Sequence, residues 1–399
     1  MKILLANFTR MVQDTGGLAK VTASFANEMK RRGHEVTLLY SDERQGDFFY
    51  PIEDGVACYD LRHANIDGVV QTNISYPRTY KIKRELLRAF SKRCARTVNN
   101  DFFETYLLEP AKRILAYCQP DIIVSFQPAA SKVLLCDLKT NIPVITMSHG
   151  DPEDYFHIYP VKEIPAVEKS TINQVLLPSF EQHIKNHLPK AKTITIGNAI
   201  PQFAEPAALD RDKTIYKILF VGRLTKNHKR PHLLIEAFSK ISKDFPNWQV
   251  ELWGPQDRKA YYKTLETLIK SKGLETQVQL CGSSKNIPEV LRQGDIIVMP
   301  SAYEGFGMAL AEGMSAGLPA IGYKNCPAVN ELIEHGKTGF LCEDGIEDMA
   351  DKLRQLMENR ELRSQMGKAA HEAMKAYAPE KIWDQWEDLM KHIVEENKR

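Results

Sequence analysis

DIIVMPSAYEGFGMALAEGMSAGLPAIGY, residues 295–323, decides the fold. Ile296 to Met299 is a continuous apolar run, the mark of a parallel strand buried on both faces. Pro300 ends it. Glu304, Gly305, Phe306 and Gly307 follow as a turn, and Met308 to Ala316 has a helical pattern. Gly317-Leu-Pro319 stops that helix, and Ala320 to Gly322 reads as the next strand. A strand end that meets a glycine-bearing turn and opens a helix aims free backbone N–H groups and the positive end of the helix dipole at one spot. Such a spot suits an anion, typically phosphate. Glu304 is expected just before the helix and Glu312 two turns into it. Eight helical positions rotate by about 800°, about 80° past two full turns. The spacing therefore predicts two carboxylates on adjoining faces, too far apart to share one proton.

Working outward, 399 residues are too many for one ordinary core, and two domains are expected. Apolar residues at 43% and charged residues at 26% are globular values. A net charge of +2 leaves no nucleic-acid footprint on the whole molecule. The seven cysteines are scattered and lack any C-x-x-C pair, which points to a reducing compartment and away from a zinc site. Ile3 to Ala6 is too short for a secretory h-region, and no apolar run reaches membrane-spanning length. The expectation is a cytoplasmic protein whose only membrane contact is peripheral.

Strand and helix patterns alternate along the chain. Lys2 to Ala6 reads as a strand, Gly16-Gly17 opens a helix carrying Leu18, Val21, Phe25 and Met29, and Val36 to Tyr40 is the second strand. This resembles the first unit of a nucleotide-binding doubly wound domain but lacks G-x-G-x-x-G, so a nicotinamide cofactor is not expected. Strands are expected at Asp121–Phe126, Pro143–Met147, Val175–Pro178 and Thr193–Ile196. His149 follows one of them, on the rim where parallel sheets meet ligands. Arg78 to Arg96 holds eight basic residues against Glu85, with Ile82, Leu86, Phe90 and Cys94 every four positions. It reads as one basic amphipathic helix, either a solvated face or a contact for an anionic membrane or a pyrophosphate-linked acceptor. Asn198 to Lys213, with Pro201 and Pro206, reads as a linker. Its Asp210-Arg211-Asp212 is discounted as a metal motif, because three-residue matches arise by chance. A second domain opens with the strand Ile215–Val221, then Gly222-Arg223-Leu224 and Lys229; Lys226 and Arg230 are nearby alternatives to Lys229 as an anion ligand.

The stretch PSAYEGFGMALAEGMSAGLPAIGY, with Cys326-Pro-Ala-Val-Asn-Glu331 and His335-Gly-Lys-Thr-Gly339, resembles the signature of the retaining glycosyltransferases of family four. GRLTKNHKRPHLLIEAF, from Gly222, is similar to that family's diphosphate clamp. The resemblance is strong over residues 215–342 and weaker before them. It implies the GT-B fold: two doubly wound Rossmann-like α/β domains facing across a cleft. The domains would be 1–198, joined by the C-terminal helix 380–399, and 214–379, with 199–213 as linker.

The resemblance further implies transfer of a hexose or N-acetylhexosamine from a nucleotide diphosphate sugar, expected to be a UDP-sugar. The acceptor would be a glycan or lipid-linked glycan. Glu304 would hydrogen-bond the donor sugar and Glu312 the ribose. Arg223 and Lys229, with the N–H groups of Phe306 and Gly307, would hold the diphosphate, where negative charge grows as the glycosidic bond breaks. Gly16 and Gly17 would lie beside the diphosphate and His149 near the sugar. Gly222, Gly254, Gly282 and Gly305 would complete the donor site. The leaving phosphate would help deprotonate the acceptor on the same sugar face, so no protein base is expected, and neither a metal nor a cofactor. A nucleotide-sugar epimerase of the same fold lacks its matching acid–base carboxylates here. A non-catalytic partner subunit would be expected to have lost clamp positions that this chain keeps.

Overall fold

A computed structural model describes residues 1–398. The chain forms two compact units: Met1–Ile196 with the segment from Trp383 onward, and Gly197–Ile382.

The first unit carries β1 (Lys2–Asn7), β2 (Glu35–Tyr40), β3 (Ala57–Asp60), β6 (Ile122–Ser125), β7 (Val144–Met147), β8 (Ile172–Val175) and β9 (Thr193–Thr195), with a small antiparallel hairpin of β4 (Asn65–Ile66) and β5 (Val70–Gln71). The seven strands of the sheet lie in the order β3-β2-β1-β6-β7-β8-β9, all parallel. β6 and β7 are buried along their whole length; their two polar side chains, Ser125 and Thr146, are hydrogen-bonded to Ser131 Oγ.

The second unit repeats the plan. β10 (Tyr216–Val221), β11 (Trp248–Trp253), β12 (Val278–Gly282), β13 (Ile296–Met299), β14 (Ala320–Tyr323) and β15 (Gly339–Cys342) pair in parallel in the order β12-β11-β10-β13-β14-β15. In each unit the order reverses beside the first strand, so β1 and β6, and β10 and β13, flank a switch point. Loops leaving the two strands diverge there and open a crevice at the strands' carboxyl ends. Both units have the doubly wound α/β architecture.

The stretch 295–323 folds as β13, a turn, the helix Met308–Ser315 and β14. Its glycines have local reasons. A Cβ on Gly313 would come within 2.9 Å of Ile297, so that glycine lets the helix lie close on β13. Gly317 has φ +87° and turns the chain back toward β14.

Four expectations need correction. The basic segment is two helices, Arg78–Phe90 and Lys92–Phe102, broken at extended Ser91, whose Oγ accepts from the Cys94 N–H at 3.4 Å. Cys94 therefore leaves the stripe of Ile82, Leu86 and Phe90. Glu312 is the fifth residue of its helix, just past one turn, and Glu304 lies in the turn, so helical rotation does not relate the two. The strand expected at Val175–Pro178 runs from Ile172 to Val175, and Pro178 starts a helix through His187. The segment expected as a linker is packed in the second unit. Ile200, Phe203 and Leu209 are buried, Ser315 Oγ donates to the Pro201 carbonyl at 2.8 Å, and Ala207 N–H donates to the Ala316 carbonyl at 2.8 Å. Its lack of periodicity reflects an extended path over the unit, not a loose one.

The C-terminal helix spans Pro379–Asn397. Phe25 meets Trp383 and Trp386 edge-on at 5.5 and 5.0 Å. Glu387 accepts from Lys391, Arg32 and His34 at 2.6, 2.9 and 3.1 Å. Lys391, with Arg32, holds the Glu387 carboxyl down to about 2. Among the described residues no helix is long and apolar enough to cross a membrane.

Candidate functional site

In the second unit the loops after β10 and β13 are tied together. Lys229 Nζ lies 2.6 Å from Glu304 Oε1, and Glu304 is only 6% exposed. Lys229 is itself fixed, because its N–H donates to Thr225 Oγ1 at 2.9 Å. Ala302 N–H donates to the His228 carbonyl at 2.8 Å. Arg230 adds a second tie. Its guanidinium donates to the carbonyls of Pro300 and Ser301 at 2.9 and 3.1 Å, pairs with Asp344 at 3.2 Å and lies over the Tyr323 ring. Arg230 is therefore a strap between loops. Of the three residues weighed for the clamp, Lys229 joins Glu304, Arg230 is occupied by carbonyls, and Lys226 is exposed.

Three glycines stand in a row at the ends of adjacent strands. Gly222 N–H donates to the Trp253 carbonyl at 2.8 Å, and Gly254 N–H to the Gly282 carbonyl at 2.7 Å. Gly254 has φ +147°, and a Cβ there would collide with the carbonyl of Gly222. The row can thus close only with glycine in the middle, which leaves a backbone-lined shelf free of side chains. Arg223 extends from this shelf and is exposed.

Opposite the tie, Gly307 at φ +81° caps the helix Met308–Ser315, and no side chain caps its first turn. Phe306 is buried against Tyr377 at 5.2 Å, which fixes the turn. Orphan N–H groups at a helix start, two basic side chains and a glycine shelf are groups of the kind that bind anions. Glu312 lies half-buried further along that helix.

The first unit holds the other expected residues. Gly16 caps the helix Gly17–Arg31, again without a side-chain cap, and its N–H donates to Asp14 Oδ1 at 2.8 Å. A Cβ on Gly17 would meet open space. His149 follows β7 and stacks on Phe126 at 5.6 Å, and Phe126 meets Phe25 of the same helix at 6.0 Å. The His149 ring is partly accessible, yet its Nε2 is cut off from solvent and has no hydrogen-bond partner. The buried nitrogen governs the proton, and burial pushes the pKa down to about 4. His149 is neutral at physiological pH and can accept or donate one hydrogen bond to a ligand.

Several residues escaped the sequence. His228 sits among Glu304, Lys229 and Arg223; burial lowers its pKa, against the pull of Glu304. Ser301 Oγ is buried without a partner. Neither belongs to a pattern that spacing could reveal. Asp212, from the discounted motif, pairs with Arg360 at 2.8 Å. Among the described residues, Glu153, His157 and His187 are the one cluster whose ligand atoms could converge on a metal; it lies in the first unit, with both imidazoles hydrogen-bonded to Glu153 Oε1 at 2.8 and 2.9 Å.

Comparison with known proteins bears on the family and the fold. Residues 15–182 match the family described as Glycosyltransferase Family 4, and residues 202–373 match Glycosyl transferases group 1. An exopolysaccharide phosphotransferase of Streptomyces coelicolor is 31% identical over 71% of this chain and 30% of its own length. The chain matches only 30 to 60% of the length of the first four curated relatives. Sucrose-phosphate synthase from Thermosynechococcus elongatus shares the fold at a TM-score of 0.75 and 16% identity, over 98% of each chain. Anabaena HepE, solved with UDP and glucose, does so at 0.67 and 17% identity, over 98% of this chain and 99% of its own.

Proposed function

The chain belongs to the GT-B glycosyltransferases of group 1, and from that premise we propose that it is a retaining enzyme moving a hexose or N-acetylhexosamine from a UDP-sugar to a glycan or lipid-linked glycan acceptor, in the building of surface polysaccharide or glycoconjugate. The observation that carries the reading is the Lys229–Glu304 pair beside the glycine shelf and the uncapped helix start. It sets a cation and a carboxylate side by side at the switch point. Lys229 and Arg223 hold the diphosphate, with the N–H groups of Phe306 and Gly307. Lys229 moves from its carboxylate toward the leaving phosphate as charge develops there, which frees Glu304 for a sugar hydroxyl. Glu312 holds the ribose. The leaving phosphate oxygen takes the acceptor's proton on the same sugar face, so the anomeric configuration is retained. The neutral imidazole of His149 meets the sugar, and Gly16 and Gly17 leave room for the diphosphate.

The UDP preference is supported by the structural neighbour solved with UDP and glucose. The two cations make a metal unnecessary at the diphosphate. All seven cysteines are free, in keeping with a cytoplasmic setting. The helix Arg78–Phe90 docks the protein on the inner face of an anionic membrane, where lipid-linked acceptors lie. Incubation with a panel of nucleotide sugars and an acceptor mixture tests the reading. The expected result is release of UDP with an α-linked product from an α-linked donor. Absence of turnover with every donor, or inversion at the anomeric carbon, would overturn it.

A further inference from the structure

A cavity of about 660 Å³ in the first unit opens beside the loop after β1 and is lined by Arg10, Arg62, Arg84 and Arg88. Its two carboxylates are already engaged: Asp14 accepts the Gly16 N–H, and Glu43 pairs with Lys81. The lining thus carries four cations against two carboxylates, although the whole chain is near neutral.

Its deepest cation is Arg62. The guanidinium lies over the rings of Phe102 and Tyr76 at 4.9 and 5.6 Å, and Nε donates to Ser41 Oγ at 3.1 Å. Nη1 is buried and has no hydrogen-bond partner. Leaving a buried charged donor unpaired is costly, so the arrangement is suited to an incoming acceptor of hydrogen bonds. Arg84 also approaches the Tyr76 ring, at 5.3 Å. Arg84 and Arg88 both reach Glu85 Oε atoms, at 3.2 and 2.8 Å, a surface pairing that an anion can displace. Tyr76 is held in turn, its hydroxyl donating to Asn99 Oδ1 at 3.0 Å.

We propose that this cavity binds a phosphoryl group carried by the acceptor, so that the acceptor is a phosphate- or diphosphate-bearing molecule. The proposal rests on the glycosyl-transfer reading for the word acceptor, but the anion site itself does not. Four guanidinium groups offer more N–H donors than one carboxylate can accept, whereas a phosphate or diphosphate can use several forks at once. The aromatic floor under Arg62 keeps that guanidinium poorly hydrated, which strengthens its contact with an anion. The phosphoryl group can come from a lipid carrier or from a soluble phosphorylated glycan.

Calorimetric titration of inorganic pyrophosphate into the full chain tests this, with acetate as control. The wild type should show two sites, one at each unit. Arg84→Gln with Arg88→Gln, both on the surface, should weaken one of them by about a hundredfold, or about tenfold per lost charge-assisted contact. Arg223→Gln should weaken only the other. Arg62→Gln gives an independent check on the first. Capture by phosphatidylcholine vesicles carrying a polyprenyl diphosphate, beyond plain vesicles, would assign the group to a lipid. Pyrophosphate binding without such capture would assign it to a soluble acceptor. Unchanged pyrophosphate binding in both arginine variants, or equal affinity for acetate, would overturn the proposal. If no nucleotide sugar is turned over while the titration still loses one site in Arg84→Gln/Arg88→Gln, the transfer reading fails and the anion site stands.

Discussion

Lys229 and Glu304 neutralise each other in a setting where each is mostly shielded from water. Removing one partner of such a pair strands the other. Lys229→Ala should therefore lower stability by on the order of 3 kcal/mol and transfer by roughly a hundred- to a thousandfold. Lys229→Ala with Glu304→Ala should regain the stability, seen in thermal unfolding, while transfer stays lost. A single variant as active as wild type would remove Lys229 from the chemistry. Transfer should also survive excess chelator; full loss restored by magnesium or manganese would contradict that. Should a metal occupy Glu153, His157 and His187, its removal would register in melting temperature and not in turnover. His149 gives a pH test. Its pKa falls from 6.5 to about 4, worth about 3 kcal/mol. The unfolded chain binds the proton more tightly, so this contribution is full above pH 6.5 and is lost as pH falls from 6.5 toward 4. His149→Phe keeps a ring against Phe126 and removes the titrating nitrogen. Its stability should drop less than that of the wild type between pH 6.5 and 4, measured by denaturant unfolding; parallel curves would show that His149 does not sense burial. At this scale the sequence disclosed what local chain order imposes: Glu304, the Gly-Phe-Gly turn and Arg223 sit in one recognisable stretch each. It preferred Lys229 to Lys226 and Arg230 on spacing alone, because only the fold decides which of them faces Glu304 and which is taken up by the carbonyls of Pro300 and Ser301. The four arginines of the cavity come from three segments, with only Arg84 and Arg88 on one helix, so no single window of sequence contains them all.

Elements built on strong apolar runs were legible, and those shaped by tertiary contacts were not. β13 and the helix after it follow from their residues, whereas the helices Glu153–His157 and Ile164–Lys169 are too short to display a period. The basic segment shows both sides. Its stripe was visible, but its break at Ser91 was not, because a serine cap inside a periodic run looks like another polar position. The break has consequences. Arg93 bonds the Phe156 carbonyl and Arg96 lies over the Tyr159 ring at 4.2 Å, so the second helix is anchored. The first helix carries Ile82, Leu86 and Phe90 at 61%, 62% and 87% exposure. An apolar stripe left in water, edged by Lys81, Lys83 and Arg88, fits insertion at an anionic interface. Vesicles rich in phosphatidylglycerol should bind the protein, less so as salt rises. Leu86→Ser with Phe90→Ser leaves every arginine in place and should weaken binding by tenfold or more, since full burial of such side chains is worth about 1.5–3 kcal/mol each. Binding that ignores both the stripe and the salt would sink membrane docking.

At the level of the whole molecule, each unit has its own sheet and switch point, and the terminal helix completes the first. Its sequence reads as an ordinary amphipathic helix, with Ile382, Trp383, Trp386, Leu389 and Ile393 on one side. What the sequence could not supply is the partner. Phe25, one helix and more than three hundred residues earlier, is enclosed by Phe126, Trp383 and Trp386. Phe126 in turn supports the ring of His149. The terminal helix is therefore connected to a candidate site residue by an unbroken run of aromatic contacts inside one unit. Trp386 is 2% exposed, and Trp386→Ala should cost about 3–5 kcal/mol of stability in the first unit. The loss should appear in calorimetry as a lowered transition for that unit. Affinity for UDP, which the proposed function assigns to the second unit's shelf and helix start, should change little, while transfer should fall because His149 loses its support. Trp386→Phe should recover most of both, as it keeps an edge against Phe25. If Trp386→Ala instead weakened UDP binding and left transfer per bound donor unchanged, the aromatic run would have no part in placing His149. The helix would then serve only as cover for Phe25.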